Sequence, residues 1–322
     1  TVFAKVDILK GLNFETRFNY QSRQEEFNNH SNTIERWNFA SNTLKNPATT
    51  PDQLSTNYGF NKNYSYTIDN ILNYTTTLAK VHDIGVLAGY NQNYYNYYNF
   101  GASKKGLIDE AFTTLNSATL LTSASGNEYD YAIRSYFGRL NYAFKSRYLL
   151  EGVFRYDGSS KFAPETRWGF FPAFSAGWRI SEEPFMKNIN NYVGNLKLRA
   201  SWGKTGNNVM SADDASRVYD YQALYSGTNY SYNGIQSSGL IIGRFGNNSL
   251  LWESTTTTNL GLDGNLFKGA LTFEIDLYRK YTAGILFAPT IPLTTGTAAA
   301  ARPQAGAFVS TDPRRRPAHR LR

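Results

Sequence analysis

The chain has 322 residues, no cysteine, 41% hydrophobic and 16% aromatic residues, and a formal net charge of +8. The absence of cysteine excludes disulfides and thiol chemistry, and the absence of any run of about 18 apolar residues excludes a membrane-spanning helix. The positive balance does not point to nucleic acid: six arginines against one aspartate in residues 298–322 carry +5 of it, leaving +3 for residues 1–297.

The chain opens on TVFAKVDIL, already in strand-like alternation and with no signal peptide, so the native N-terminus is expected upstream. A short hairpin is expected over Val2–Leu9 and Leu12–Tyr20, joined at Lys10-Gly11. Residues 21–63, rich in Asn, Ser, Gln and Thr, read as a long loop. A second hairpin, Tyr66–Leu78 and His82–Tyr98, turns at Ala79–Val81 and gives way to a second long loop over 99–128. Ala132–Phe144 and Tyr148–Tyr156 follow, turning at Lys145–Arg147; a medium loop, Asp157–Arg167, leads to Trp168–Ile180. Ser181–Asn195, with one helical turn expected at Glu182–Asn188, connects to Leu196–Thr205. The longest loop, 206–255, precedes Thr256–Leu266, Lys268-Gly269 and Ala270–Lys280.

The central segments set the fold class. Tyr148, Leu150, Gly152, Phe154 and Tyr156 share one parity, opposite Glu151, Arg155 and Asp157; Leu196, Leu198, Ala200 and Trp202 stand opposite Lys197 and Arg199. Two packings fit such alternation: a soluble sandwich with its apolar faces inward, and a membrane barrel with them in lipid. The runs last about 9–13 residues, as membrane strands do and sandwich strands seldom do. Tyr148, Tyr156, Trp168, Trp178 and Trp202 lie near strand ends, where interfacial girdles form. Ten strands with alternating long and mostly short connections complete the expectation: an all-β, antiparallel transmembrane barrel, present in part.

The runs RYDGSSKF, RWGFFPAFSAGWRISEEPFMK, LKLRASWGKTGNN and NNSLLWESTTTTNLGLDGNLFKGALTFEIDLYRKYTAGIL resemble the barrel of SusC/RagA-type TonB-dependent outer-membrane transporters. The resemblance implies a plugged barrel of about 22 strands in the bacterial outer membrane. It further implies energy from TonB through an N-terminal part preceding residue 1, a SusD-like surface lipoprotein as lid, and glycan or peptide cargo. Residues 1–297 are assigned to the barrel. Residues 298–322 (AAAARPQAGAFVSTDPRRRPAHRLR) form an Ala/Arg/Pro-rich tail, expected to be disordered or frameshifted because proline removes ladder donors. The alternative reading is a surface-exposed β-rich binding or adhesin protein.

No enzyme and no cofactor are expected. Gly203-Lys204-Thr205 lacks the glycine five positions earlier that a phosphate-binding loop needs, since Leu198 stands there. His30, His82 and His319 have no ligand or triad spacing, and Asp213-Asp214 and Glu182-Glu183 read as solvated loop acids. Arg139, Glu151, Arg155, Asp157, Arg179, Lys197, Arg199 and Lys204 are grouped as one polar, lumen-facing set that pairs charges across strands. Tyr219, Tyr221, Tyr225, Tyr230 and Tyr232 are the candidate contacts to cargo or lid, because an aromatic ring with a polar tip suits both.

Overall fold

A strand that alternates apolar and polar side chains is a ribbon with two unlike faces, and backbone pairing lays such ribbons edge to edge. The computed structural model describes residues 1–45, 53–189, 192–209, 218–286, 294, 304–312 and 315–317, the last two segments as backbone only. Its strands are β1 (Val2–Leu9), β2 (Leu12–His30), β3 (Arg36–Asn38), β4 (Thr43–Lys45), β5 (Ser55–Leu78), β6 (His82–Leu107), β7 (Ala118–Phe144) and β8 (Tyr148–Ser159). They continue as β9 (Trp168–Arg179), β10 (Val193–Asn207), β11 (Leu224–Tyr232), β12 (Ile235–Arg244), β13 (Glu253–Leu266), β14 (Leu271–Leu286), β15 (Gln304–Asp312) and β16 (Arg315–Pro317). One twelve-stranded sheet runs β1-β2-β5-β6-β7-β8-β9-β10-β13-β14-β15, with β16 also paired to β14. The hairpins β3–β4 and β11–β12 stand apart from it.

All ten expected strands are present, as β1, β2, β5 to β10, β13 and β14. The connections Ala79-Lys80 and Lys145-Ser146 put two consecutive residues at positive φ, the conformation of tight hairpin turns. The expected helical turn is two short 3-10 segments, Ile180–Glu182 and Pro184–Ile189.

Three expectations are corrected. Residues 21–63 and 99–128 are not mainly loop, because β2, β5, β6 and β7 extend into them and reach 19, 24, 26 and 27 residues. Residues 206–255 contain the hairpin β11–β12, turning at Asn233-Gly234 with φ of 53° and 78°. The tail is not without strand structure: Gln304–Asp312, the stretch between Pro303 and Pro313, pairs antiparallel with β14 from Tyr278 to Leu286. Backbone pairing needs donors and an open edge, not side-chain alternation, and this proline-free run supplies the donors.

The chain divides into two units. The first comprises residues 1–18, 67–93 and 132–322; the second comprises 19–66 and 94–131. In the first, register settles the faces. Tyr142, Leu150, Ala176, Ala200, Leu260 and Leu277 pair in one row across β7, β8, β9, β10, β13 and β14. Leu140, Gly152, Phe174, Trp202 and Thr258 form the next row. On this face Leu140, Leu150, Phe154, Phe170, Phe174, Trp202, Leu260 and Leu277 are 40–58% exposed. A sandwich would bury them under a second sheet, and among the described residues no second sheet covers them.

Aromatic rings border this belt. Trp168 stacks on Tyr156 at 4.7 Å and on Tyr136 at 6.1 Å, and Phe144 stacks on Tyr148 at 6.2 Å at the short-turn end. Beyond Tyr136 on the same parity of β7 stands the exposed Arg134, opposite Gly158. The belt on β7 thus occupies the nine positions from Tyr136 to Phe144, the length that crosses a bilayer's hydrocarbon.

Candidate functional site

The polar face of the first unit is the row set opposite the belt. Asn141, Glu151, Ser175, Ser201 and Asn259 pair across β7, β8, β9, β10 and β13. Arg199, next on β10, faces Gly261, where an added Cβ would lie 2.5 Å from the guanidinium carbon; the glycine leaves the space the arginine occupies. Its Nε–H donates to Asp263 at 3.0 and 3.1 Å, and its Nη2–H donates to Glu274 and to Asp276, both at 2.8 Å. One guanidinium therefore holds three carboxylates from two neighbouring strands.

A second cluster joins β7 and β8. Arg155 donates to Asp157 at 3.3 and 3.1 Å and to Ser135 at 3.2 Å, with its guanidinium 5.5 Å from the Phe137 ring centre. With its amide turned to satisfy both neighbours, Asn141 donates to Glu151 at 2.6 Å and accepts from Arg139 at 3.3 Å. Lys197 pairs in register with Arg179 on one side and Asp263 on the other. Arg179 also reaches the Ser146 carbonyl at 3.3 Å and Glu182 at 3.7 Å. A concavity of about 1240 Å³ opens on this face, lined among others by Lys10, Asp83, Asn141, Glu151, Lys197 and Arg199.

All seven residues from Arg139 to Arg199 named in the polar set thus share one face. Lys204 does not. Register along β10 is unbroken from Asn195 to Asn207, so Lys204 falls on the parity of Leu198 and Trp202, opposite Thr256. Asp263, Glu274 and Asp276 escaped the sequence reading. The turn at Lys268-Gly269 brings Asp263 opposite Glu274, and two like charges in register demand a cation from a third strand.

The five candidate tyrosines do not form one surface. Tyr221 packs on the buried pair Phe162 and Leu250, and Tyr219 is partly buried. Tyr225, Tyr230 and Tyr232 are exposed on β11, with Tyr225 on the parity opposite that of the other two. The signal for their hairpin was in the sequence: Asn233-Gly234 between alternating segments is a strong two-residue turn signature.

Glu183 and His82 take structural places. Glu183 accepts from the Tyr148 hydroxyl at 2.6 Å and from Trp178 Nε1–H at 3.1 Å, and Arg147 lies at 3.4 Å. Those bonds, led by Tyr148, hold its carboxyl below the usual range and fasten the 180–189 segment to β8 and β9. His82 contacts the Tyr142 hydroxyl at 2.8 Å and packs against Phe144. His319 and Asp213-Asp214 lie outside the described residues.

A family model described as TonB dependent receptor-like, beta-barrel matches residues 6–311. The chain belongs to this family. It is 37% identical over 238 residues to a TonB-dependent receptor of Formosa agariphila, a match covering 71% of this chain and 23% of that protein. It is 41% identical over 165 residues to the TonB-dependent receptor SusC of Bacteroides thetaiotaomicron, covering 50% of this chain and 16% of SusC. The structure of the RagAB peptide transporter superposes with a TM-score of 0.82 at 24% identity, covering 96% of this chain and 32% of that one. The chain spans about a quarter of the length of the curated relatives it matches. The TonB-dependent receptor family is one of outer-membrane receptors and not of enzymes, and the open sheet is part of an outer-membrane β-barrel whose apolar belt is the surface suited to lipid.

Proposed function

We propose that the chain forms part of the barrel of a transporter that imports oligosaccharides or oligopeptides, energised by TonB and capped by a SusD-like lipoprotein. The observation that carries this reading is the two-faced sheet: an exposed apolar belt on one side, and on the other a charged wall anchored by Arg199 and Arg155. On this reading the wall faces the lumen. Because Arg199 and Arg155 are held by carboxylates, and Glu151 and Arg139 by the Asn141 amide, the wall stays rigid and hydrated while cargo and plug move past it. The likeness to the RagAB peptide transporter supports the peptide class of cargo, and the resemblance to SusC-type transporters implies the glycan class and the lid.

The hairpin β11–β12 then serves as the contact to lid or cargo, with Tyr225, Tyr230 and Tyr232 presented on both of its faces and Tyr221 fixing its base. The test uses the full-length transporter. Replacing Tyr225, Tyr230 and Tyr232 together by Ala lowers cargo binding or lid co-purification by about tenfold or more, as exposed interface tyrosines do. The barrel's heat-modifiable band in electrophoresis stays unchanged. Unaltered binding and unaltered lid association remove the hairpin from the site. Uptake that persists in cells lacking TonB removes the transport reading itself.

A further inference from the structure

The second unit carries a feature that the polar wall and the hairpin leave unused. Along β6 the run Asn93–Phe100 reads NYYNYYNF, which puts tyrosine on both parities. On the odd parity, Tyr95 stacks on Tyr131 at 5.2 Å, Tyr97 stacks on Tyr129 at 5.0 Å, and Tyr95 lies 6.3 Å from Tyr129. Four partly exposed rings thus form one continuous platform across β6 and β7. The Tyr97 hydroxyl donates to Asn61 Oδ1 of β5 at 3.3 Å.

The surroundings are as telling as the rings. The odd positions from Ser55 to Ser65, from Tyr95 to Ser103 and from Ser123 to Tyr131 are Asn, Ser, Gly and Tyr throughout, with no charged residue. On β2, the charges of this parity, Arg23 and Glu25, pair with each other at 3.5 Å. The even parity differs, carrying Lys62, Glu128 and Asp130. Burial, followed by the neighbouring Tyr95 and Tyr97, pushes the Tyr129 phenol up to about 12, and burial raises Tyr95 and Tyr131 as well. On β7, Tyr129 and Tyr131 precede Arg134 and so fall outside the nine positions of the belt, and the raised phenols of Tyr95, Tyr129 and Tyr131 are neutral at physiological pH.

From this geometry we infer that Tyr95, Tyr97, Tyr129 and Tyr131 form a stacking subsite for an uncharged oligosaccharide. The inference rests on the import reading and narrows its cargo. A pyranose ring has an apolar C–H face that lies flat on a tyrosine, and hydroxyls at its rim that suit amide and phenol groups able both to donate and to accept. Tyrosine provides that contact area at a small cost in side-chain order. A peptide brings charged termini and side chains, and the positions flanking the rings on β5, β6 and β7 offer no opposite charge to receive them, Arg23 and Glu25 lying on β2 and Lys105 eight positions beyond Tyr97.

Cross-strand stacking also stabilises a sheet, so the test separates ligand contact from packing. The full-length protein in detergent is titrated with an array of short uncharged oligosaccharides of gluco-, manno-, galacto-, fructo- and xylo- type, and with an array of short peptides. A glycan binds, and Tyr97→Ala and Tyr129→Ala each weaken it about tenfold, the order of one lost aromatic contact. Tyr97→Phe and Tyr129→Phe, which keep the ring, stay within about threefold, and Tyr98→Ala on the other parity has no effect. Hydroxyl-radical footprinting of the unaltered protein, which needs no variant to fold, finds these four tyrosines protected when the glycan is bound. Glycan affinity unchanged in the alanine variants, or the four tyrosines unprotected, overturns the subsite. Binding of peptides alone overturns it while leaving import intact; binding of neither class removes both.

Discussion

The two units draw on several of the same strands and carry opposite chemistry. In the first, one parity is Leu, Phe, Tyr and Trp and the other holds arginines and carboxylates bonded to one another. In the second, the odd positions of β5, β6 and β7 around the stacked rings are Asn, Ser, Gly and Tyr, and tyrosine recurs on the even parity, where Tyr94 stacks on Tyr66 at 5.2 Å. The difference follows from the solvent each face meets. A strand crossing lipid must present an apolar face, so its polar groups crowd onto the other, where close charges need partners. Outside the hydrocarbon both faces meet water, neither needs to be apolar, and a neutral, adaptable surface can form.

Arginine placed on each face tests that division most strongly. Leu150→Arg and Phe174→Arg in the full-length protein, refolded into bilayers, each lower the unfolding free energy by about 2–4 kcal/mol. Ser201→Arg on the polar face and Tyr98→Arg in the second unit cost about 1 kcal/mol or less, measured by the same denaturant titration. Equal costs at Leu150 and Tyr98 would erase the boundary drawn at Arg134. The charged wall gives a somewhat smaller effect. Arg199→Met strands Asp263, Glu274 and Asp276 beside one another and costs about 2–3 kcal/mol. Adding Asp276→Asn restores part of that, and full additivity of the two changes would show that they do not interact.

The smallest effect is expected at the turn. Because the Glu183 carboxyl is held below its unfolded value of about 4.5, its stabilisation is complete above that pH and is lost as pH falls through the folded value. Glu183→Gln therefore lowers the barrel's heat-modification temperature at neutral pH and flattens its decline below pH of about 4.5. A parallel decline in variant and parent would rule out the Tyr148 and Trp178 bonds as its cause.

Strand existence and facing were legible wherever lipid imposed a hydrophobic period, as at Tyr148–Tyr156 and Leu196–Trp202. The extensions of β2, β5, β6 and β7 were not, because strands wetted on both faces have no apolar period to read and resemble polar loops. Lys204 was misplaced for a simpler reason: its charge outweighed its position in the count. The composition of β6 announced many tyrosines, yet composition does not say which rings meet. Tyr97 and Tyr129 are 32 positions apart, and Arg199 is 64 to 77 positions from its carboxylates. The sequence by itself determined the two-faced strands, the tight turns and hence the barrel class, since these follow from side-chain parity and local backbone preference. Which acids Arg199 gathers, which tyrosines stack, and whether a face is charged or neutral were decided by register between strands, and a one-residue slip would have turned every one of those side chains to the other face.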